Sequence, residues 1–144
     1  MPDHSAGRAD VWQLRGARLE LPRRPLLMGI VNVTPDSFSD GGQFADPRAA
    51  VDHALALEAA GAAILDVGGE STRPYSRPVE ADQQLRRVMP VVEVLCSAVN
   101  VPVSIDTSSA RVAREAIAAG VQIINDVTGL EGDPAMVPLA VEAS

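Results

Sequence analysis

Four apolar, strand-like runs alternate with four helix-like stretches along this chain, and this alternation limits the possible folds more than any other sequence feature. The strand-like runs are residues 26–32, 63–67, 103–106 and 123–127. Parallel strands need long crossover connections, which are usually helices, so this alternation favours a parallel sheet. The pattern therefore predicts an α/β protein in which the chain passes through about four βα units.

The helix-like stretches have their own start and stop signals. Asp46-Pro47 predicts an N-cap followed by proline at the first helical position, and Gly61 predicts the end of that helix. Apolar residues between positions 85 and 96 recur with helical spacing and predict a helix with one apolar face. Pro90 lies within this stretch and predicts a kink or the start of a second segment. Two further signals are Gly120 at the end of the third helix and Asp133-Pro134 at the start of the fourth.

Two segments precede the repeating pattern. Residues 1–10 are polar and predict a disordered tail, whereas residues 11–21 predict a short hairpin that turns at Gly16. Residues 11–144 are then expected to form one domain. The length of 144 residues and the hydrophobic content of 47% are sufficient for a sizeable core.

Composition excludes several classes of partner. The net charge of −7 argues against a nucleic-acid or anionic-membrane surface, because such partners need a clustered basic patch. All twelve basic residues are arginine, so a mechanism that needs lysine must obtain it from outside these residues. The single Cys96 rules out a disulfide framework and fits a reducing compartment. No secretory signal and no apolar run of roughly 18 residues is present, so a cytoplasmic protein without a membrane span is expected.

Polar residues at the ends of the strand-like runs decide between two architectures, an open doubly wound sheet and a closed barrel. The loop after the first run lacks the G-x-G-x-x-G pattern, which disfavours a dinucleotide-binding sheet. Asn32, Asp66, Asp106 and Asn125-Asp126 each follow an apolar run, which gathers polar groups on one rim. Barrel enzymes have their active sites at this rim. We therefore expect a (β/α)8 TIM-barrel type, here a half barrel with an N-terminal hairpin, because a complete barrel needs about 250 residues.

Four motifs follow one another along the chain: MGIVNVTPDSFSDGG (28–42), ILDVGGESTRP (64–74), SIDTS (104–108) and IINDVTGL (123–130). In this order and spacing they resemble dihydropteroate synthase, over roughly residues 26–142. The resemblance implies a (β/α)8 barrel of folate biosynthesis, a transferase that joins 6-hydroxymethyl-7,8-dihydropterin diphosphate to 4-aminobenzoate. Such an enzyme releases pyrophosphate and forms 7,8-dihydropteroate, and sulfonamides occupy the place of the aminobenzoate.

The resemblance assigns roles to three strand-end residues. Asn32 matches the family position that contacts Mg²⁺, and an amide oxygen suits this ion because water and phosphate oxygens supply its other ligands. Asp106 and Asn125 match the residues that bind the pterin ring, whose N–H donors and acceptors a carboxylate and an amide can satisfy. The alternatives are a buried structural amide for Asn32 and a helix N-cap for Asp106. Asp66 and Asp126 are expected to organise the rim.

Loop residues complete the implied site. Thr72 matches a substrate-binding residue, and Arg73 is expected to act with Asp106 in catalysis by facing pyrophosphate or the aminobenzoate carboxylate. Phe38 and Pro74 are expected to wall the aminobenzoate pocket, although ordinary anchoring is the alternative for loop aromatics. The implied reaction is a displacement at the pterin methylene carbon, in which Mg²⁺ and Arg73 take up charge on the leaving group.

Two departures from the family limit this assignment. The residue after Pro74 is Tyr75, where the family often has glycine. The later family motifs, which supply a further aspartate, a lysine, an arginine and a histidine, would follow Ser144. The chain is therefore expected to be the N-terminal half of an enzyme that is a homodimer when complete, and to lack full activity alone. The alternatives are a non-catalytic pterin-binding fragment or paralogue, or a methyltetrahydrofolate-binding methyltransferase domain, against which the intact first and STRP loops count.

Overall fold

A computed structural model of the chain describes residue 7 and residues 9–35, 46–70 and 78–144. Residues 1–6 and 8 of the predicted tail lie outside this part of the chain. The strands are β1 Val11–Leu14, β2 Ala17–Glu20, β3 Met28–Asn32, β4 Ile64–Gly68, β5 Val103–Asp106 and β6 Ile123–Asn125. The helices are α1 Pro47–Ala59, α2 Ala81–Ala98, α3 Ala110–Ala118 and α4 Met136–Ala143. Among the described helices, none is long and apolar enough to cross a membrane.

The predicted hairpin is confirmed and covers the start of the parallel sheet. Strands β1 and β2 pair antiparallel, and Gly16 turns between them with a φ of 68°, a conformation that glycine adopts without strain. Leu14 of the hairpin packs in a small buried cluster with Ile64 and Ile123, the first residues of β4 and β6. The hairpin therefore lies at the end of the sheet opposite the predicted polar rim.

The four remaining strands form the predicted parallel sheet, in the order β3-β4-β5-β6. Their register creates two rows of residues across the sheet. The rim row contains Asn32, Gly68, Asp106 and Asn125. The row below it, which we call the middle row, contains Ile30, Asp66, Ser104 and Ile123. Because side chains two residues apart on a strand share a face, both rows lie on the same face of the sheet.

The opposite face of the sheet packs against the helices. Val31, Val67 and Ile105 alternate with the residues of the two rows, and all three are fully buried with apolar side chains of α1, α2 and α3. A Cβ on Gly29 would lie 3.0 Å from Leu57 Cδ1, so α1 and β3 approach closely at this position. The hydrophobic core therefore lies between the sheet and the helices, which leaves the two rows on a separate face.

One alternative for Pro90 and one predicted helix start need correction. Pro90 lies within the single helix α2, so the alternative of a second segment that begins there is wrong. Val88 and Val91, on either side of the proline, are fully buried in the core. Their burial stabilises the helix by more than the loss of one backbone hydrogen bond at Pro90 costs. Helix α4 begins at Met136 rather than at Asp133-Pro134. The Asp133 carboxylate instead accepts hydrogen bonds from the backbone N–H groups of Ala135 and Ala110, at 2.9 and 2.8 Å, and so satisfies the first residue of α3.

Candidate functional site

The rim row brings together three of the residues predicted from the sequence. Asn32, Asp106 and Asn125 end β3, β5 and β6, and their register aligns them across the sheet with Gly68 between the first two. Parallel strands present their carboxyl ends at one edge, so these side chains share one face of one edge. The glycine leaves the row open beside Asp106.

Asn125 is tied to the middle row through Asp66. Its side-chain Nδ2 donates a hydrogen bond of 3.0 Å to Asp66 Oδ2 across the intervening strand β5. Asp66 is only 2% exposed, and its Oδ1 has no partner within the described part of the chain. The fully buried hydroxyl of Ser104, also in the middle row, likewise has no described partner. Buried polar atoms usually have hydrogen-bond partners, so two buried polar atoms without one are uncommon in a row directly beneath the rim.

Asp106 is half-buried and faces several carboxylates. Desolvation raises its pKa from 3.8 to about 6, and the negative charges of Asp66, Glu70 and Asp126 add to the effect. The N-cap alternative for this residue is wrong. Ser109 caps α3, since its hydroxyl accepts a hydrogen bond from the backbone N–H of Val112 at 3.4 Å. The Asp106 carboxyl group is therefore not used by the helix that follows it.

Asn32 is exposed at the end of β3, which contradicts the buried structural alternative. Within the described residues its side chain makes no hydrogen bond, so the amide oxygen is available to a ligand. No group of three or more histidine, cysteine, aspartate or glutamate side chains forms a metal site in the described ranges. A single amide oxygen nevertheless fits Mg²⁺ that retains water and phosphate ligands.

Asp126 organises the loop after β6, as expected. Its Oδ1 accepts hydrogen bonds from the backbone N–H and the hydroxyl of Thr128, at 2.9 and 2.8 Å, and its Oδ2 accepts from Leu130 N–H at 3.2 Å. Leu130 has a φ of 70°, an unfavourable conformation for leucine that these bonds help to maintain. The carboxylate is thereby engaged in the loop, where it also contributes negative charge near Asp106.

Gln84 was missed by the sequence analysis, although it joins three segments around the rim. Its Nε2 donates to Glu70 Oε2 at 3.0 Å and to the Val79 carbonyl at 2.8 Å, and its Oε1 accepts from the Thr107 hydroxyl at 2.9 Å. Glu70 and Val79 flank residues 71–77, and Thr107 follows Asp106. A polar residue four positions before Val88 on the buried stripe of α2 was the available signal.

The loop residues predicted to complete the site lie outside the described part of the chain. These are Phe38, Thr72, Arg73 and Pro74. A cavity of about 450 Å³ is found elsewhere, between the hairpin, β6 and α4, where Trp12, Leu14 and Ile123 are among its lining residues. Among the described residues, its lining includes neither Asn32 nor Asp106 nor Asn125, and it lies away from the rim, so its size does not identify the reaction centre.

Comparison with protein families supports the sequence resemblance. A family described as "Pterin binding enzyme" matches residues 28–144. The chain is 44% identical over 142 residues to dihydropteroate synthase of Bacillus subtilis, covering 99% of this chain and 50% of that protein. It is 53% identical over 117 residues to dihydropteroate synthase of Mycobacterium leprae, covering 81% of this chain and 41% of that protein.

Solved structures give the same assignment and define the architecture. The chain matches Xanthomonas albilineans dihydropteroate synthase with 4-aminobenzoic acid at a TM-score of 0.85 and 46% identity, covering 94% of this chain and 49% of that one. It matches a Yersinia pestis dihydropteroate synthase with a sulfonamide drug complex at a TM-score of 0.82 and 44% identity, covering 92% and 48%. The predicted partial TIM barrel is thus confirmed. The chain spans about half the length of the curated relatives it matches, and it belongs to the family of pterin-binding enzymes.

Proposed function

We propose that this chain supplies the Asn32, Asp106 and Asn125 side of a dihydropteroate synthase active site. The reaction joins 6-hydroxymethyl-7,8-dihydropterin diphosphate to 4-aminobenzoate and releases pyrophosphate. The observation that carries the proposal is the rim row, in which the three residues align across neighbouring strand ends. The relatives named dihydropteroate synthase, including a Xanthomonas albilineans structure in complex with 7,8-dihydropteroate, support the choice of reaction.

Asp106 and Asn125 are proposed to bind the pterin ring. The ring edge presents neighbouring N–H groups, which an ionised carboxylate accepts as short, charge-assisted hydrogen bonds. Asn125 offers an acceptor oxygen and one further N–H group, because its other N–H is engaged with Asp66. Together the two side chains match a flat heterocycle that has both donors and acceptors along one edge.

Asn32 is proposed to contact Mg²⁺ through its amide oxygen. When bound, the ion would neutralise negative charge on the diphosphate and so make it a better leaving group. Arg73 is proposed to face the departing pyrophosphate or the aminobenzoate carboxylate, and Thr72 to contact substrate. Phe38 and Pro74 are proposed to form the wall against the aminobenzoate ring. These roles rest on the sequence resemblance, since the four loop residues lie outside the described residues.

The chemical step is a displacement at the methylene carbon of the pterin. The lone pair of the aminobenzoate amine forms the new C–N bond, the C–O bond to the diphosphate breaks, and its electron pair leaves with pyrophosphate. The amine proton passes to solvent. A neutral aniline nitrogen is already nucleophilic, so the residues of this chain need to hold the two substrates in line rather than to abstract a proton first.

A chimera tests the proposal. The segment of the Bacillus subtilis dihydropteroate synthase that aligns with this chain is replaced by the chain itself, and pyrophosphate release is measured with and without 4-aminobenzoate. We expect release that depends on both substrates, and none from the 144-residue chain alone. A chimera that melts cooperatively but neither binds pterin nor releases pyrophosphate would contradict the proposal. Pterin binding without release would instead favour the non-catalytic alternative.

The setting of the protein is part of the same proposal. We infer a cytoplasmic enzyme that forms a homodimer when complete and that has neither a nucleic-acid nor a membrane partner. The free thiol of Cys96 and the net charge of −7 support this inference. Size-exclusion chromatography with light scattering on the chimera measures the oligomer directly.

A further inference from the structure

The bond between Asn125 and Asp66 limits how the asparagine can be used. Asp66 lies in the middle row on β4, and Asn125 lies in the rim row on β6. The asparagine side chain therefore reaches across β5, on the face that carries both rows. The two side-chain atoms are 3.0 Å apart, and Asp66 is 2% exposed. A bond to a buried partner holds the amide far more firmly than contact with solvent does.

The chemistry of a carboxylate decides which way the amide faces. An ionised carboxylate only accepts hydrogen bonds, so it must meet the NH₂ group of Asn125. If the amide were flipped, its oxygen would face the Asp66 oxygen, and two acceptors would repel each other. The amide oxygen must therefore point away from Asp66, and no described residue donates a hydrogen bond to it.

We propose that Asp66 is a positioning residue that fixes the Asn125 amide with its oxygen available at the rim, so that the rim selects a heterocycle with an N–H donor there. The orientation of the amide follows from its hydrogen bond to the Asp66 carboxylate and does not depend on the proposed function. The identity of the heterocycle as a pterin rests on the proposed function.

The burial of Asp66 supports a role of this kind. Its Oδ1 has no described partner, and a buried carboxylate with an unused acceptor is costly to the folded state. An apolar side chain would avoid that cost, as Ile30 and Ile123 do in the same row. What the carboxylate adds is the hydrogen bond to Asn125.

The same carboxylate influences Asp106, the second polar group of the rim. The charged groups around Asp106 are Asp66 on β4, Glu70 after β4 and Asp126 after β6. Arg87 of α2 donates a hydrogen bond from Nη1 to the Gly69 carbonyl at 2.8 Å. Three carboxylates around the rim therefore favour a ligand edge that presents donors, in agreement with the orientation of the Asn125 amide.

The first test needs no ligand. In the 144-residue chain labelled with ¹⁵N, hydrogen exchange of the Asn125 side-chain amide is followed by NMR. We expect slow exchange of one proton in the native chain, about tenfold faster exchange in Asp66→Ala and Asp66→Leu, which have no acceptor, and no change in Ser104→Ala. Ser104→Ala is the matched control, because it alters the same buried row without touching this bond. Equal exchange in the native chain and in both Asp66 variants would overturn the proposal.

The second test uses 6-hydroxymethylpterin as a probe, with affinity measured by calorimetry in the chimera described above. We expect Asp66→Asn and Asn125→Asp each to weaken binding about tenfold, and the D66N/N125D double variant to recover most of it. The double variant exchanges donor and acceptor while it keeps an acceptor at the rim. Recovery of melting temperature without recovery of affinity would overturn the positioning role.

The two tests separate the inference from the proposed function. If the Asn125 amide is fixed by Asp66 but the native chimera does not bind the pterin, the proposed function fails and the orientation stands. If the native chimera binds the pterin and Asp66→Asn binds it equally well, the positioning role fails and the proposed function stands.

Discussion

Gly68 and Asp106 are register partners on β4 and β5, and a Cβ on Gly68 would lie 3.4 Å from both Cβ and Oδ2 of Asp106. That distance is ordinary van der Waals contact, so a methyl group at position 68 would touch the Asp106 side chain without a clash. The neighbouring Gly69 differs, because its Cβ would lie 2.8 Å from Val88 Cγ1 and 3.2 Å from the Gln84 carbonyl oxygen.

The two adjacent glycines should therefore respond differently to the same substitution. We expect Gly68→Ala to change the free energy of unfolding by less than about 1 kcal/mol. Gly69→Ala should destabilise the fold by about 1 to 3 kcal/mol, because α2 must shift to admit the methyl group. Urea denaturation of the two variants measures both values. Equal stability of the variants would show that the contact with Val88 is not tight.

Asp106 should make stability fall as pH rises. The native pKa is about 6 and the ordinary value is 3.8, so between these values the native state binds more protons than the unfolded state. The free energy of unfolding then decreases from about pH 4 to about pH 6 and is constant with respect to this group on either side. Asp106→Asn should remove this component, measured as the native-minus-variant difference in urea denaturation at several pH values. An unchanged difference across the window would contradict the raised pKa.

Asp106 should also determine pterin affinity. In the chimera, Asp106→Asn is expected to weaken binding by about 1.5 to 3 kcal/mol, because it removes a charged acceptor from the ring N–H groups. Asp52→Asn is the matched control, since Asp52 is an exposed aspartate on α1. Calorimetry on both variants tests the role, and an unchanged affinity in Asp106→Asn would reject it.

Gln84 should stabilise the structure around the rim. Gln84→Met removes three hydrogen bonds and leaves the Thr107 hydroxyl and the Val79 carbonyl without this partner. We expect a loss of about 2 to 3 kcal/mol in the free energy of unfolding, because both groups would lose a hydrogen bond to the buried Gln84 side chain. Gln83→Met makes the same change at the exposed neighbouring position and should cost less than about 0.5 kcal/mol. Similar losses in the two variants would show that the bonds of Gln84 contribute little.

Local signals predicted most of the fold. Asp46 caps α1 as expected, by accepting a hydrogen bond from Arg48 N–H at 2.9 Å, and the strand bounds of β5 agree with the apolar run. Such signals depend on residues close in sequence, so they are visible without the structure. The alternative of a second segment at Pro90 and the helix start at Asp133 were wrong because contacts distant in sequence decide them. These contacts are the packing of α2 in the core and the hydrogen bond that Ala110 N–H donates to the Asp133 carboxylate.

The sequence by itself determined that strands and helices alternate, that polar residues follow the strands, and which family the motifs resemble. Only the tertiary structure decided that Asn32, Asp106 and Asn125 form one row, and that Asp66 lies below it and holds Asn125. The physical reason is register. A shift of one residue between neighbouring strands would turn the polar ends to opposite faces of the sheet, and register is set by packing across the whole sheet rather than by any one strand.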